Sequence, residues 1–285
     1  MSMLNAILRP VFDGLLYPFR GFPPIVGLVV VSLVTAVGML LVFKATSNQE
    51  KLAAVKRRIH ACLFEIRLFN DDLRAILRAQ LEILRRNLTY LRLSLVPMLW
   101  MLLPLVLVIA HLQFHYGYRG LKPGETALLK VELGDGWKDS ARPSLTLEVP
   151  EGLRAQQPPV WIPSLKEMIW RITAERGDDY DLKVNLAGKS YTKAVRVSDS
   201  VVRLSPVRSA SGFIKVKGVP FSLPSQLVYP AEAPLPKSGP IKSITLRYPD
   251  GRVGILGFQV HWMVVFFILS ILFSFVLRNR LKVTI

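Results

Sequence analysis

Three uncharged apolar runs constrain this chain more than any other feature. They cover residues 24–43, 95–114 and 260–277, which is 20, 20 and 18 residues. A helix rises 1.5 Å per residue, so each run is long enough, or nearly so, to cross a hydrocarbon core of ~30 Å. One such run could be the buried helix of a soluble protein, but three together argue for membrane spans. The first is too long for the apolar core of a signal peptide and lacks a small-x-small cleavage site, so it reads as a retained span.

The rest of the chain is strongly basic. Lys and Arg number 37 against 20 Asp and Glu, a formal charge of +17, while 51% of residues are apolar. That apolar content excludes a disordered chain. The single Cys62 excludes a disulfide scaffold. A DNA-binding domain would account for the charge but not for a mean hydropathy of +0.35. Lys and Arg near the span ends set orientation. Within 20 residues of the ends there are twelve on the side holding residues 44–94 and the C-terminus, and eight on the other. The expectation is an N-terminus outside, a cytosolic segment 44–94, a large external loop and a cytoplasmic tail, as in a bacterial inner membrane.

Residues 1–22 carry Ile7, Leu8, Val11, Phe12, Leu15, Leu16 and Phe19 at helical spacing, interrupted by Pro10 and Pro18. This suits an amphipathic segment lying in the outer interface. Residues 44–94 carry Leu52, Val55, Ile59, Leu63 and Ile66, then Leu73, Ile76, Leu77, Leu81, Leu84, Leu88 and Leu91. Ser47 or Asn48 can cap the first helix, and Asp71 or Asp72 the second. The pattern predicts two helices packed as an antiparallel coiled-coil hairpin between two antiparallel spans. The hairpin's surplus of +6 serves topology, and also suits anionic lipid heads, ribosomal RNA or nascent chains.

Beyond residue 115, Pro and Gly become frequent and β-branched alternation appears. Expected strands are 127–133, 144–149, 168–174, 180–186, 191–197, 201–204, 213–216 and 241–248, with turns at Gly177-Asp178-Asp179 and Gly188-Lys189. Short, evenly spaced strands predict an immunoglobulin-like sandwich. Residues 220–240, rich in Pro and Ser, read as a surface loop. The expected division is an interfacial segment (1–22), a first span (23–43), the hairpin (44–94), a second span (95–114), the external β-domain (115–258), a third span (259–277) and a tail (278–285).

Motifs for hydrolysis, redox chemistry, phosphate cradling or dinucleotide binding are absent, so no enzyme and no cofactor is expected. His111, His115 and His261 fall at outer span ends, where His is at home as an interfacial residue and where three could also ligate a metal; no metal is assigned. His60 and Cys62 lack partner ligands. Ser32, Thr35, Ser270 and Ser274, with Gly27 and Gly38, are the polar or small positions within the spans, as helix-packing contacts or as the lining of a path.

The layout resembles the YidC/Oxa insertase superfamily, in particular its minimal three-span members: the archaeal YidC-like proteins and the insertase subunit of the endoplasmic-reticulum membrane complex. The resemblance rests on LRPVFDGLLYPF before the first span, FKATSNQEKLAAVKRRI leading into the hairpin, and SLVPMLWMLLPLVLVIAHL in the second span, and with the third span covers roughly half the chain. Many family members carry an Arg in the first span, where this chain's nearest base is Lys44, and they lack an inserted β-domain. The resemblance implies an α-helical integral membrane protein with three transmembrane helices and a cytosolic hairpin, acting as an insertase or membrane chaperone. It implies groove positions at Ser32, Thr35, Ser270 and Ser274. Lys44, Lys51, Lys56, Arg57, Arg58, Arg85 and Arg86 become contacts for hydrophobic clients, lipid or ribosomal RNA. The alternative is a non-catalytic membrane scaffold whose external β-domain binds a protein partner; DNA is not expected as a partner.

Overall fold

The uncharged runs and the polar caps beside them set where the helices begin and end. The computed structural model describes residues 2–69, 72–134, 137, 142–215, 218, 220–255, 257–281 and 283. In chain order its helices are α1 (Ser2–Leu16), α2 (Pro24–Thr46), α3 (Gln49–Leu68), α4 (Leu73–Tyr116), the single turn α5 (Ser225–Val228) and α6 (Trp262–Leu277). Its strands are β1 (Thr126–Leu133), β2 (Thr146–Glu148), β3 (Leu153–Ala155), β4 (Val160–Ile162), β5 (Glu167–Ala174), β6 (Asp179–Leu186), β7 (Lys189–Arg196), β8 (Val207–Ser209), β9 (Phe213–Lys215), β10 (Ser222–Pro224), β11 (Ile241–Leu246), β12 (Val253–Ile255) and β13 (Phe258–Val260). The chain divides into two units. One is helical, Val29–Val108 with Phe266–Ile285; the other, Met1–Leu28 with Ile109–Val265, is built on β-sheet.

Two helices, α2 with 23 residues and α4 with 44, are long and apolar enough to cross a membrane. The third apolar helix, α6, has 16 residues, about 24 Å. It starts later than the apolar run because Phe258–Val260 is used in β13, which pairs with β12. In the helical unit, Asn48 Oδ1 accepts from Lys51 N at 3.0 Å and starts α3. Asp72 Oδ1 accepts from Arg74 N (2.8 Å) and Ala75 N (3.3 Å) and starts α4. Asp71, the other expected cap, lies outside the described residues.

The packed face of α3 follows most of its apolar spacing: Leu52 and Cys62 are buried and Val55, Ile59 and Ile66 half-buried, whereas Leu63, expected on the same stripe, is exposed and the smaller Cys62 packs beside it instead. On α4 the packed face is a different one. Ile76, Ala79, Ile83, Arg86 and Tyr90 turn inward at steps of three and four, with the small Ala79 buried. Leu73, Leu77, Leu81, Leu84, Leu88 and Leu91 are exposed. The leucine stripe read as a coiled-coil seam is therefore an outward face of α4.

In the β-rich unit, strands alternate inward and outward with period two. The larger sheet is antiparallel, in the order β3-β5-β1-β11-β8, with β4 also on β5; the smaller is β2-β6-β7. Leu129 and Val131 of β1, Trp170 and Ile172 of β5, Leu182 and Val184 of β6, Val195 of β7 and Ile244 of β11 share one hydrophobic core. The β6–β7 hairpin turns on Ala187 and Gly188, both with positive φ (51° and 73°), as a two-residue turn matching strand twist requires. Residues 201–204, expected as a strand, pair with no strand: Leu204 N donates to Phe114 O at the end of α4. The expected strand 213–216 is β9 as far as Lys215, and residue 216 lies outside the described ones.

Residues 220–240 are more than a surface loop. Ser225, Gln226, Ala231 and Leu235 are buried, because this segment receives α1. Asn5 Nδ2 donates to Gln226 O at 2.6 Å, and Arg9 donates to Pro230 O, Gln226 Oε1 and Glu232 O at 2.5–3.0 Å. Helix α1 thus turns Asn5, Arg9, Phe12, Asp13 and Leu16 toward the protein, and Met3, Leu4, Ile7 and Val11 away from it. Pro10 sits on the outward side without breaking the helix.

Behind this seam lies a charged pair. Lys193 Nζ is fully buried and donates to Glu232 Oε2 (2.6 Å), Ser205 O (2.6 Å) and Ser205 Oγ (3.0 Å). Burial lowers the Lys193 ammonium from its ordinary value. Burial alone would raise the Glu232 carboxyl, but Lys193, Ser205 Oγ and Ala194 N outweigh it and hold it below the usual range.

Candidate functional site: an apolar groove in the helical unit

The inward face of α2 follows helical spacing through Val31, Ser32, Thr35, Ala36 and Leu40, all buried. On the other side of that face, Leu33, Val34 and Leu41 are exposed. Within the helical unit, Thr35, Ala36 and Met39 of α2, Met101 and Leu105 of α4, and Phe266, Phe267, Ser270, Ile271, Ser274 and Phe275 of α6 line a groove of about 270 Å³. The wall is carbon and thioether, with three hydroxyl-bearing positions on it. Methionine side chains adapt to irregular apolar shapes, and two of them border the space.

Of the four groove positions suggested by sequence, Thr35, Ser270 and Ser274 line this space. Ser32 is fully buried one turn earlier on α2. Its Oγ and that of Ser270 have no hydrogen-bond partner among the described residues. A buried hydroxyl left unsatisfied costs free energy, and that of Ser270, on the groove wall, leaves a donor and an acceptor for something that enters it. Among the described residues nothing charged lines the groove, so it favours an apolar occupant with an occasional polar group.

The basic positions divide by what they touch. Lys44 is exposed and donates to Leu281 O at 2.9 Å, which ties the end of α2 to the chain after α6. Arg86 is paired with Glu82 at 2.6 Å, one turn earlier on α4. Lys56 is half-buried, while Lys51, Arg57, Arg58 and Arg85 are exposed. Arg78, Arg85 and Arg92, all exposed, recur every seven residues beside the outward leucines, as the flanking charges of a heptad seam do.

The histidines separate. His111 stacks on Phe12 with ring centroids 5.1 Å apart. His115 Nε2 lies 3.2 Å from Asp13 Oδ1. His261 accepts from Met263 N at 3.3 Å and packs against Trp262. Among the described residues, no three His, Cys, Asp or Glu side chains are grouped as metal ligands. Gly27 takes part in a close helix approach, since a Cβ there would meet Tyr116 Oη at 2.6 Å, whereas Gly38 faces open space.

Two features escaped the sequence reading: the outward placement of the α4 leucines, and a cluster joining Arg9 and Asp13 to residues near 200 and 230. The first had a signal in the heptad repeat of Arg beside Leu. The second joins residues roughly 190 to 220 positions apart, with no local pattern to reveal it. Comparison with models of protein families, with characterised proteins and with solved structures gives no match to this chain.

Proposed function

We propose that the chain is a membrane-protein insertase or membrane chaperone of the YidC/Oxa kind. In this reading α2, residues 95–114 of α4, and α6 cross the membrane. Residues 44–94 form a cytosolic hairpin and the β-rich unit is an external, immunoglobulin-like domain. The observation that carries the proposal is the apolar groove with hydroxyls at Thr35, Ser270 and Ser274. Such a wall suits a hydrophobic segment and lowers the cost of a polar flank passing beside it. A second observation supports it. Helix α4 runs to 44 residues, about 66 Å, so more than half of it stands clear of a ~30 Å core. That projecting part carries the exposed leucines and the arginine row, a surface suited to capturing an apolar helix with acidic neighbours.

The test is photocrosslinking from position Met39 in membranes translating a short-tailed membrane protein. An adduct with the client is expected, together with loss of the adduct and slower insertion in Ser274→Phe, which fills the groove. Unchanged insertion after depletion of the protein would sink the proposal.

A scaffold role has its own support in the β-rich unit. Phe213 and Phe221, at the β9–β10 hairpin, are 75% and 62% exposed, and exposed aromatics of this kind mark binding surfaces. If a protein partner docks there, Phe213→Ser with Phe221→Ser removes a stoichiometric companion from the detergent-purified protein. A chain that purifies alone in both forms counts against that role.

A further inference from the structure

A second cavity, wholly within the β-rich unit and unrelated to the apolar groove, is as polar as the groove is greasy. It measures about 290 Å³, and four arginines border it: Arg9 and Arg20 from the N-terminal segment, Arg196 from β7, and Arg203 from the chain that follows. The acids on its wall are Asp13, Asp179 and Glu232, and each is already engaged. Asp13 faces Arg203 (2.9 Å) and His115 (3.2 Å), Asp179 faces Arg196 (3.3 Å), and Glu232 faces Lys193 (2.6 Å).

Cation therefore remains in surplus. Arg9 is held by neutral carbonyl and amide oxygens, and among the described residues no carboxylate lies within ion-pair distance of it. Arg20 lies over the Tyr17 ring at 5.0 Å. Arg203 Nη1, although close to Asp13, is not aligned to hydrogen-bond it and is buried without a hydrogen-bond partner. Burial first, and then the Arg203 charge, lower Arg9 from the ordinary arginine value. Burial likewise lowers Arg203 against the opposing pull of Asp13, with Arg196 adding to the lowering. With Asp13 and Asp179 paired to Arg203 and Arg196, and Glu232 to Lys193, Arg9 and Arg20 stand in a partly dry cleft without an ion-pair partner among the described residues. A bound anion would relieve the repulsion.

The geometry points to a phosphate-binding site, with the headgroup of an anionic phospholipid as the source of the phosphate. Planar, forked guanidiniums suit phosphate oxygens and engage them in pairs. The place suits a lipid. Arg20 precedes Pro24, the first residue of α2, by four residues, which limits its distance from that helix start to about 14 Å. Helix α1, which supplies Arg9, turns Met3, Leu4, Ile7 and Val11 outward, a face made for acyl chains beside a headgroup. The site takes the phosphate at the membrane surface while the apolar face of α1 lies against the tails.

The test uses the full chain purified in detergent, with bound lipid counted by native mass spectrometry. Probes are phosphatidylglycerol, diacylglycerol with the same chains but no phosphate, and inorganic phosphate. The wild type is expected to retain one phosphatidylglycerol under conditions that strip diacylglycerol. Arg20→Gln, whose side chain holds no carboxylate, and Arg9→Gln should each weaken retention about tenfold or more. Arg154→Gln removes one exposed charge from β3 of the same unit and should leave retention unchanged. If inorganic phosphate stabilises the wild type but not Arg20→Gln, and phosphatidylglycerol fails to bind, the phosphate site stands and the lipid source falls. Equal retention of diacylglycerol, or wild-type retention of both phosphate probes by Arg9→Gln and Arg20→Gln alike, overturns the site.

Discussion

Lys193 is the most demanding residue in the β-rich unit. Its ammonium is fully buried beneath the sheets and depends on the Glu232 carboxylate 2.6 Å away. Breaking a buried pair from one side strands the other charge, at a cost of about 3–5 kcal/mol. Glu232→Gln is thus expected to lower the thermal midpoint of the detergent-purified protein far more than Lys193→Met, which removes the charge needing a partner; equal effects would show that the pair is not what matters. The carboxyl's folded value lies below its ordinary 4.5, so its stabilising contribution is complete above that pH and is lost as pH falls through the folded value. Thermal melts from pH 7 to pH 3 should show the loss only at the acid end, and Glu232→Gln should flatten it. A gentler change concerns Ala187, which sits at φ 51° in the β6–β7 turn. A side chain with a Cβ is strained there, so Ala187→Gly should stabilise by up to about 1 kcal/mol. A lowered midpoint would mean that the turn depends on the methyl group.

At the scale of elements, α1 and the start of α4 both carry apolar faces that are exposed among the described residues. For α1, a bimane probe on Val11→Cys, in a Cys62→Ser background, is expected to be quenched by lipids brominated near the headgroup; quenching equal to that of a water-exposed site such as Ser238→Cys would place the face in water. For α4, Leu84→Ser with Leu88→Ser should change stability by less than about 0.5 kcal/mol, because these side chains touch little in the protein. The same pair should remove client crosslinks if the leucines capture clients. The amphipathic pattern of residues 1–22 was legible in the sequence, as were the position of the first two apolar helices and most of the strands. The face that α4 packs was not: hydrophobicity ranks leucine above alanine, while packing placed the small Ala79 inward and left the leucines out. The three hydroxyls on the groove wall were readable as the few polar positions in apolar runs. The arginine cleft was not, since Arg9 and Arg203 approach only through the tertiary fold.

At the scale of the molecule, one chain carries an apolar groove in its helical unit and a basic cleft in its β-rich unit, and the two ask for different chemistry. If the groove serves clients and the cleft serves lipid, Ser274→Phe should slow insertion without changing phosphatidylglycerol retention, and Arg20→Gln should weaken retention while leaving the Met39 adduct in place. Loss of both properties in either variant would show that the two sites are not independent. The seating of α1 also imposes an order on biogenesis. Its anchors, Asn5 and Arg9, bind residues 226–232, and Asn5 lies 221 positions from its partner. At about 5–20 residues per second, a ribosome needs roughly ten to forty seconds to make that stretch. Helix α1 is therefore made well before the residues that hold it and is among the last elements to be locked in place, and throughout that interval its polar side must stay hydrated.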